Sequence, residues 1–329
     1  MGFLVGKRVL FFAPPIFGYH LEIVSELEKL GALVDWMPDR PFDSSMGKAL
    51  TRFFPFLVTP AATSLYKRLL SRLGVSRYDY IFVINGQTLT PSFLQFMRQC
   101  FPAARFILYM WDSVTNRPTV KKCFRLYDSI FTFDSLDAIK YGLRFRALFY
   151  GSGFAPSDRP PSIKYHISFV GTAHSDRFSV VNNLNSCLPS NILCFWYLYL
   201  QAPWVFQAYR LSKWNMRHAK RSDFQFTPLA KDLLHSVFLH SKVVLDIAHP
   251  RQAGLTMRTF EALGSGKKLV TTNPLVRDYD FFSEANVFVI DRKRPFIDHT
   301  FLESSFSPFS QEILLRYSIS GWLADIFDF

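Results

Sequence analysis

Residues 241–273 decide the fold, and they read SKVVLDIAHPRQAGLTMRTFEALGSGKKLVTTN. Residues 242–247 form a short apolar run rich in β-branched side chains, which predicts a buried strand of a parallel sheet. Residues 255–263 predict a helix that ends at two nearby glycines, and residues 269–272 predict the next strand. Ligands bind at the carboxyl ends of strands in such sheets, and a helix N-terminus there attracts phosphate. The stretch therefore predicts an anion-binding strand-loop-helix unit.

The predicted helix carries polar side chains at suitable spacing. Arg258 and Glu261 lie three residues apart and share a helix face. Arg258 is in the first turn, near any anion at the N-terminus, and Glu261 is placed one turn further to accept hydrogen bonds from two sugar hydroxyls. Thr256 and Thr259 are predicted to donate to phosphate oxygens. The same spacing fits an ordinary amphipathic helix whose Arg and Glu are solvated.

Residues 254–273, GLTMRTFEALGSGKKLVTTN, resemble the donor-site segment of bacterial GT-B glycosyltransferases, especially the CgeB-like and polysaccharide-biosynthesis groups. The shared pattern is Gly-Leu-x-x-Arg-x-Phe-Glu-x-x-x-x-Gly. The resemblance implies that Glu261 binds the nucleotide ribose and that the helix N-terminus faces the diphosphate. Many retaining members carry a further Glu eight residues earlier, where this chain has Ala253 beside Gln252. The resemblance therefore leaves the donor sugar and the stereochemical outcome open.

A second loop suits the same ligand. In FVGTAHSDR, residues 169–177, Gly171 lets the backbone approach a ligand closely and Arg177 is placed to reach a phosphate. GT-B relatives use the matching loop in this way, although a plain turn with a surface Arg gives the same pattern. Asp246 and His249 are expected to face the ligand from the first loop. The predicted donor-binding residues are Gly171, Arg177, His249, Gln252, Gly254, Leu255, Thr256, Arg258 and Glu261.

Strands and helices alternate over residues 7–150, and the alternation restarts at residue 166, which predicts parallel sheets covered by helices. Residues 151–162, rich in Gly, Pro and Ser, separate the two halves as a linker does. The resemblance implies the GT-B architecture, an α/β fold of two Rossmann-like domains facing a cleft, with the C-terminal helix crossing back to the first. The predicted bounds are 1–155 for the acceptor-side domain, 156–308 for the donor domain and 309–329 for the returning helix.

The candidates for catalysis lie in the first half. Gly18 and His20 open the first helix, similar to the Gly-His pair of inverting GT-B enzymes in which the His is the base. A His at a helix start also has purely structural roles. Asp112 follows an apolar strand, which makes it a candidate base or acceptor-positioning carboxylate, or the N-cap of the next short helix. The predicted catalytic residues are His20 and Asp112.

Two carboxylates stand in an Asp-x-Asp pattern at Asp278 and Asp280. Such a pair holds a divalent cation in GT-A enzymes, because hard cations prefer carboxylate oxygens. Here it lies several residues beyond the predicted strand, past Pro274, and is interpreted as a surface loop. We predict no metal and no cofactor, the nucleotide sugar being a substrate.

The net charge of +12 favours polyanionic partners. Acidic residues are absent between Asp43 and Asp79 and again from Arg177 to Ser222, and both stretches mix cations with aromatic residues. This mixture suits an anionic membrane surface, although a helix with one buried and one solvated face has the same composition. No nucleic-acid motif accompanies the charge, so nucleic acid is not a predicted partner.

No apolar run is long enough to predict a membrane-spanning helix, and the four scattered cysteines fit a reduced cytoplasm. We therefore expect a cytoplasmic protein, peripheral on the inner face of the membrane.

The expected function is that of a glycosyltransferase. It would use a nucleotide-sugar donor and a bacterial surface glycan or lipid-linked glycan precursor as acceptor, in lipopolysaccharide, capsule or exopolysaccharide biosynthesis. A nucleotide-sugar epimerase of the same fold and a non-catalytic membrane-surface binding module are the alternatives. An oxidoreductase is disfavoured, because no Gly-x-Gly-x-x-Gly follows the first strand.

Overall fold

The computed structural model describes residues 2–15, 17–39, 55–156 and 161–329, with the backbone alone for 55–59. These residues form two compact units. The first runs to Ala147 and includes Ile319–Phe329, and the second is Leu148–Ser318. Each unit is built around one parallel sheet, so the prediction of an α/β fold with two successive sheets is confirmed.

The first sheet has six strands in the order β2-β1-β3-β4-β5-β6, and every neighbouring pair is parallel. Its central strands are buried on both faces, which explains their continuous apolar sequences. The strands are β1 (Arg8–Ala13), β2 (Leu33–Pro38), β3 (Tyr80–Ile84), β4 (Arg105–Met110), β5 (Ser129–Thr132) and β6 (Arg144–Phe145).

The described residues between the strands of the first unit form the helices α1 (Tyr19–Lys29), α2 (Pro55–Leu73), α3 (Pro91–Cys100) and α4 (Ser135–Tyr141). Two 3₁₀ helices, Val114–Asn116 and Pro118–Leu126, connect β4 to β5. α2 occupies much of the first basic stretch, for which a helix with one buried and one solvated face was the alternative to a membrane-binding segment, and residues 40–54 of that stretch lie outside the described part of the chain.

The second sheet has five parallel strands in the order β11-β10-β9-β7-β8. They are β7 (Tyr165–Thr172), β8 (Cys194–Tyr199), β9 (Ser241–Asp246), β10 (Lys268–Thr271) and β11 (Val287–Val289). The helices of this unit are α5 (Arg177–Cys187), α6 (Pro203–Ser212), α7 (Lys231–Leu239), α8 (Met257–Gly264), α9 (His299–Glu303) and α10 (Gln311–Tyr317). Four 3₁₀ helices complete it: Ser152–Phe154, Trp214–Met216, Arg221–Asp223 and Pro274–Asp278.

The C-terminal helix α11 (Ile319–Phe327) belongs to the first unit. Trp322 is fully buried there, with ring centroids 4.8 Å from Tyr109 and 5.9 Å from Phe82. Asp328 accepts hydrogen bonds from the guanidinium groups of Arg105 and Arg144. The expected return of the last helix to the first domain is confirmed.

Two predicted elements were wrong in detail. The sequence pattern predicts one terminal helix over 312–327, but the chain forms two helices there, α10 and α11, because Ser318 is extended and bridges to Tyr150. The sequence pattern also predicts a strand over 146–150, but β6 is Arg144–Phe145 and ends before it. Residues 147–150 are apolar and buried, which a periodicity argument cannot distinguish from a strand. The chain passes between units at Ala147, and residues 151–162 lie in the second unit, with 157–160 outside the described residues.

Candidate functional site

The carboxyl edge of the second sheet is held together by Arg177, in the first turn of α5. Its Nε donates to the carbonyl oxygen of Ile247 at 2.8 Å, and its Nη1 donates to that of Thr172 at 3.1 Å. Arg177 therefore joins the end of β7 to the end of β9. The pKa of Arg177 is lowered to about 10, mainly by desolvation and also by the neighbouring Arg258 and Arg292, while Asp246 and Asp176 oppose the shift. The group stays cationic at neutral pH.

Arg292, which sequence reasoning missed, completes this edge. Its Nε and Nη2 donate to the two carboxylate oxygens of Asp176 at 2.9 and 2.7 Å, in the bidentate geometry typical of Arg-carboxylate pairs. Its guanidinium also donates to the Ala248 carbonyl and the Thr272 hydroxyl, each at 2.8 Å. Arg292 and Asp176 are separated by 116 residues, so no local spacing connects them. The sequence feature that could have indicated its role is its position shortly after the last strand, β11.

The threonines of the site differ from the prediction. Thr256 donates to one carboxylate oxygen of Asp246 at 2.8 Å, and Thr259 donates to the other at 3.0 Å. Thr256 also caps α8, because its hydroxyl accepts from the Arg258 N–H at 3.1 Å. Asp246 is buried. Both hydroxyl protons are therefore donated to the buried Asp246, which holds the N-terminus of α8 against β9.

Arg258 and Glu261 bind each other. Arg258 Nη1 donates to Glu261 Oε2 at 2.5 Å, and the guanidinium carbon lies 4.9 Å from the centre of the Phe238 ring. The Glu261 side chain is fully buried, whereas the Arg258 side chain is 20% exposed. Lys231 is close enough for Glu261 to raise its pKa, although burial has the larger and opposite effect. The carboxylate predicted for ribose thus sits beneath the guanidinium predicted for phosphate.

The loop after β9 is a tight turn. The Gln252 N–H donates to the His249 carbonyl at 3.0 Å, and the His249 Nδ1 accepts from the Arg251 N–H at 3.2 Å. The Gln252 side-chain amide donates to the Gly254 carbonyl at 3.4 Å. Gly254 and Leu255 are buried and lead into α8. The half-buried His249 is therefore held at the sheet edge by its own loop.

His174 lies beside His249, with ring centroids 5.7 Å apart. Its Nδ1 is 3.0 Å from the Ser175 hydroxyl, and Ser175 has a left-handed backbone with φ of 52°. Desolvation, aided by Arg177, His249 and Lys213, lowers the pKa of His174 to about 3. His174 is therefore neutral at physiological pH.

Gly171 is required by the position of Arg177. A Cβ at Gly171 would lie 3.1 Å from Arg177 Nη1 and 3.0 Å from Phe169 Cζ. The glycine therefore makes room for the guanidinium, although its direct approach to a ligand stays a prediction.

Cations dominate this edge. Each of its three carboxylates is already bound by protein donors: Asp176 by Arg292, Asp246 by the two threonines and Glu261 by Arg258. The cations are Arg177, Lys213, Arg258 and Arg292, with Lys231 beside Glu261. The N-termini of α5 and α8 add partial positive charge. The edge is suited to a ligand with more than one negative charge.

The predicted catalytic residues lie in the first unit. His20 is in the first turn of α1, after Gly18, and its ring lies 4.7 Å from that of Trp36. Asp112 accepts from Asn116 Nδ2 at 2.8 Å and from Arg117 Nε at 3.1 Å. The N-cap of the 3₁₀ helix at Val114–Asn116 is Ser113, so the alternative role of Asp112 as that cap was wrong.

The Asp-x-Asp pattern is engaged in protein contacts. Asp280 accepts from the Tyr317 hydroxyl at 2.6 Å and also from the Arg316 guanidinium, while Asp278 ends a 3₁₀ helix. No cluster of three or more His, Cys, Asp or Glu side chains suited to a metal occurs in the described ranges. Among the same residues, no helix combines the length and the apolar character that a membrane span requires.

No protein-family model and no curated protein matches the chain. Solved structures do. HepE of Anabaena, solved with UDP and glucose, superposes with a TM-score of 0.61 at 13% identity over 98% of both chains. A glycosyltransferase of Rickettsia africae gives a TM-score of 0.60 at 12% identity over 98% of this chain and 97% of its own. This chain has the GT-B fold.

The same fold occurs in an epimerase. UDP-GlcNAc 2-epimerase of Neisseria meningitidis, solved with UDP-GlcNAc, gives a TM-score of 0.54 at 9% identity over 98% of both chains. At these identities the comparisons establish the fold of this GT-B chain. Its narrower resemblance to the CgeB-like group stays a prediction.

Proposed function

We propose that the protein is a glycosyltransferase that takes a sugar from a nucleoside-diphosphate donor. The observation that carries the proposal is the cationic carboxyl edge of the second sheet, where every carboxylate is already paired and two helix N-termini converge. A diphosphate carries the negative charge that would balance these cations. It is also the leaving group of the transfer, so the same cations would stabilise the charge that develops as the glycosidic bond breaks.

The donor's phosphates are assigned to Arg258, Lys213 and the α8 N-terminus, with the neutral His174 and His249 beside them. Arg177 acts differently, because two of its donors are bound to backbone carbonyls. We assign it the task of holding the two loops in register while contributing its charge. Gly171, Gln252, Gly254, Leu255 and Thr256 shape these loops.

Glu261 is assigned to the ribose hydroxyls. A fully buried carboxylate cannot contact a ligand until a neighbouring side chain moves, and Arg258 is both bonded to it and partly exposed. We infer that the diphosphate draws Arg258 away from Glu261 and that the uncovered carboxylate then accepts from the ribose. This exchange replaces one charge-assisted hydrogen bond by others, so it costs little net energy.

His20 and Asp112 are proposed as the acceptor-side residues, one of which removes the proton of the acceptor hydroxyl. The proposed acceptor is a bacterial surface glycan or its lipid-linked precursor, used by a cytoplasmic protein peripheral to the membrane. We propose that transfer needs neither a divalent metal nor a cofactor. Full loss of activity in EDTA, restored by Mn²⁺, would contradict this and direct attention to Asp278 and Asp280.

Epimerisation is the second candidate, because UDP-GlcNAc 2-epimerase also matches the fold over 98% of this chain. The two reactions differ in their need for an acceptor. Incubating the protein with a panel of nucleotide sugars, with and without glycan acceptors, and separating the products distinguishes them. Conversion of the sugar without any acceptor would favour the epimerase.

The first experiment is a thermal-denaturation screen of nucleoside diphosphates and nucleotide sugars. A ligand that binds only the folded state raises Tm. At a ligand concentration of one hundred times Kd, the free energy of unfolding increases by about 2.7 kcal/mol. We expect one base to be preferred. No stabilisation by any nucleotide would contradict the proposal.

A further inference from the structure

Helix α6 and the 3₁₀ turn after it expose large apolar side chains. Trp204 is 72% exposed, Leu211 83% and Trp214 75%. Trp204 and Leu211 are seven residues apart on α6, so they lie on one face. The opposite face buries Val205 and Phe206 against the core of the second unit. These three exposed side chains, with the cations beside them, form what we call the α6 patch.

The cations of the α6 patch lie within a run that has no acidic residue, from Arg177 to Ser222. The guanidinium of Arg217 lies 4.3 Å from the centre of the Trp214 ring, and Arg210 and Arg221 are exposed. A partner for this surface must therefore accept apolar side chains and supply negative charge to the arginines. An anionic lipid surface does both, because indole rings enter the interface while guanidinium groups contact headgroup phosphates.

In the other basic and aromatic stretch, the side chains described from residue 60 onward follow a different pattern. In α2, Ala62 and Tyr66 are fully buried, while Lys67 and Arg68 are exposed. The Tyr66 hydroxyl is also hydrogen-bonded, 2.7 Å from that of Thr88. The described side chains of α2 therefore form an ordinary amphipathic helix with a solvated basic face. The composition is shared by both stretches, but among the side chains that the structure describes in them, the exposed tryptophans belong to α6 and the 3₁₀ turn after it.

We propose that the α6 patch binds the surface of an anionic phospholipid bilayer. Trp204, Leu211 and Trp214 enter the interface, and the arginines at 210, 217 and 221 contact lipid phosphates.

The segment that carries the α6 patch also contacts the cationic carboxyl edge of the second sheet, which we call the donor edge. Asn215 Nδ2 donates to the Ser175 carbonyl at 3.3 Å, and Lys213 lies near enough to lower the pKa of His174. The segment thus contacts the loop after β7 while Trp214 points to solvent. This deepens the proposed function, on which it rests: sugar transfer would take place at the lipid surface, and the acceptor would be a lipid-linked glycan.

The experiment is co-sedimentation of the full chain with vesicles of phosphatidylcholine alone and of phosphatidylcholine mixed with phosphatidylglycerol. We expect binding to the anionic vesicles that weakens as salt is added. The triple variant W204S/L211S/W214S should bind them about 100-fold more weakly. The triple variant R210Q/R217Q/R221Q should also lose about 100-fold, since each of the three cations near the surface contributes about a fivefold factor.

The matched control is the double variant L136S/I139S. It removes two side chains of α4 that are 59% and 82% exposed, and it should bind as the wild type does. Wild-type affinity of W204S/L211S/W214S for anionic vesicles would overturn the proposal, as would equal binding of the wild type to both vesicle types. The lipid proposal is also wrong if the wild type does not bind vesicles but W204S/L211S/W214S elutes at a different volume in gel filtration. That result would identify the patch as a protein interface.

Calorimetry with nucleoside diphosphates in the absence of vesicles keeps the two proposals distinguishable. All variants of the patch should keep the wild-type nucleotide affinity, because none touches the donor edge. Loss of vesicle binding with nucleotide binding intact tests the patch alone. Absence of nucleotide binding in the wild type would contradict the proposed function and leave the vesicle result standing.

Discussion

The two sheets of this protein have the same parallel architecture but different chemistry at their carboxyl edges. In the second unit the edge is cationic, and Arg177 and Arg292 tie its loops together through backbone carbonyls and a bidentate ion pair. In the first unit the edge carries Asp112, held by Asn116 and Arg117, and His20 at the start of α1. The fold alone therefore does not assign function. The side chains at the strand ends of the second unit suit anion binding, and we propose that those of the first unit supply the base.

The largest effect is expected from Asp112→Asn in the first unit. If Asp112 is the base, removing its charge should lower kcat by about 10²- to 10⁴-fold, the usual contribution of a general base. The nucleotide Kd should not change. His20→Gln is the paired variant, and whichever of the two keeps wild-type kcat is excluded as the base. A parallel loss of nucleotide affinity in Asp112→Asn would break the division of tasks between the two edges.

A smaller effect is expected from Glu261→Gln in the second unit. The variant keeps the side-chain volume but loses the charge, so the Kd of the preferred nucleoside diphosphate should rise about 10- to 100-fold, as expected for charge-assisted hydrogen bonds. The 2′-deoxy analogue provides the control. The wild type should prefer the ribonucleotide, and the variant should not distinguish the two. Equal discrimination by both proteins in calorimetry would remove Glu261 from the ribose site.

Gly171→Ala should weaken diphosphate binding by about tenfold. The added methyl group meets Arg177 Nη1 at 3.1 Å and Phe169 at 3.0 Å, and overpacking of this kind costs about 1–3 kcal/mol. The free energy of unfolding should fall by a similar amount. Gly153→Ala is the matched control, because a Cβ there has no neighbour within 4 Å. Similar nucleotide affinities for both variants would show that the position of Arg177 does not matter for binding.

The last expected effect, which concerns stability rather than activity, is a pH dependence from His174. Its folded pKa of about 3 lies below the unfolded value of about 6.5, so the unfolded chain binds the proton first as pH falls. This contribution to stability is present above pH 6.5 and is lost progressively toward pH 3. Urea unfolding of the wild type and His174→Asn between pH 7 and 4 measures it. The wild type should lose stability more steeply, and parallel curves would contradict the buried, neutral state of His174.

Local sequence patterns predicted the elements that carry the donor edge. The predicted helix at 255–263 is α8, Met257–Gly264, and the predicted strand at 242–247 is β9, Ser241–Asp246. Both follow from hydrophobic periodicity and from glycines in the chain, which act over a few residues. Gly264 has a further reason that the sequence did not show: a Cβ there would lie 2.5 Å from the Tyr150 ring.

Partners distant in sequence were not predictable in this way. The pairing of Arg292 with Asp176 depends on where the sheet places two loops, and no spacing encodes it. For the same reason Thr256 and Thr259 were assigned to phosphate, although Asp246, ten and thirteen residues away, accepts from both. The basic stretches show the same limit, because composition did not reveal that α2 buries Tyr66 while α6 exposes Trp204.

The most direct test is a calorimetric titration of the wild type with the preferred nucleoside, its monophosphate and its diphosphate. If the cationic edge of the second sheet is a diphosphate site, affinity should rise with each phosphate, and Lys213→Met should reduce the advantage of the diphosphate. Binding of the diphosphate no tighter than the nucleoside, or no binding of any of the three, would contradict the assignment of this edge to a nucleotide-sugar donor.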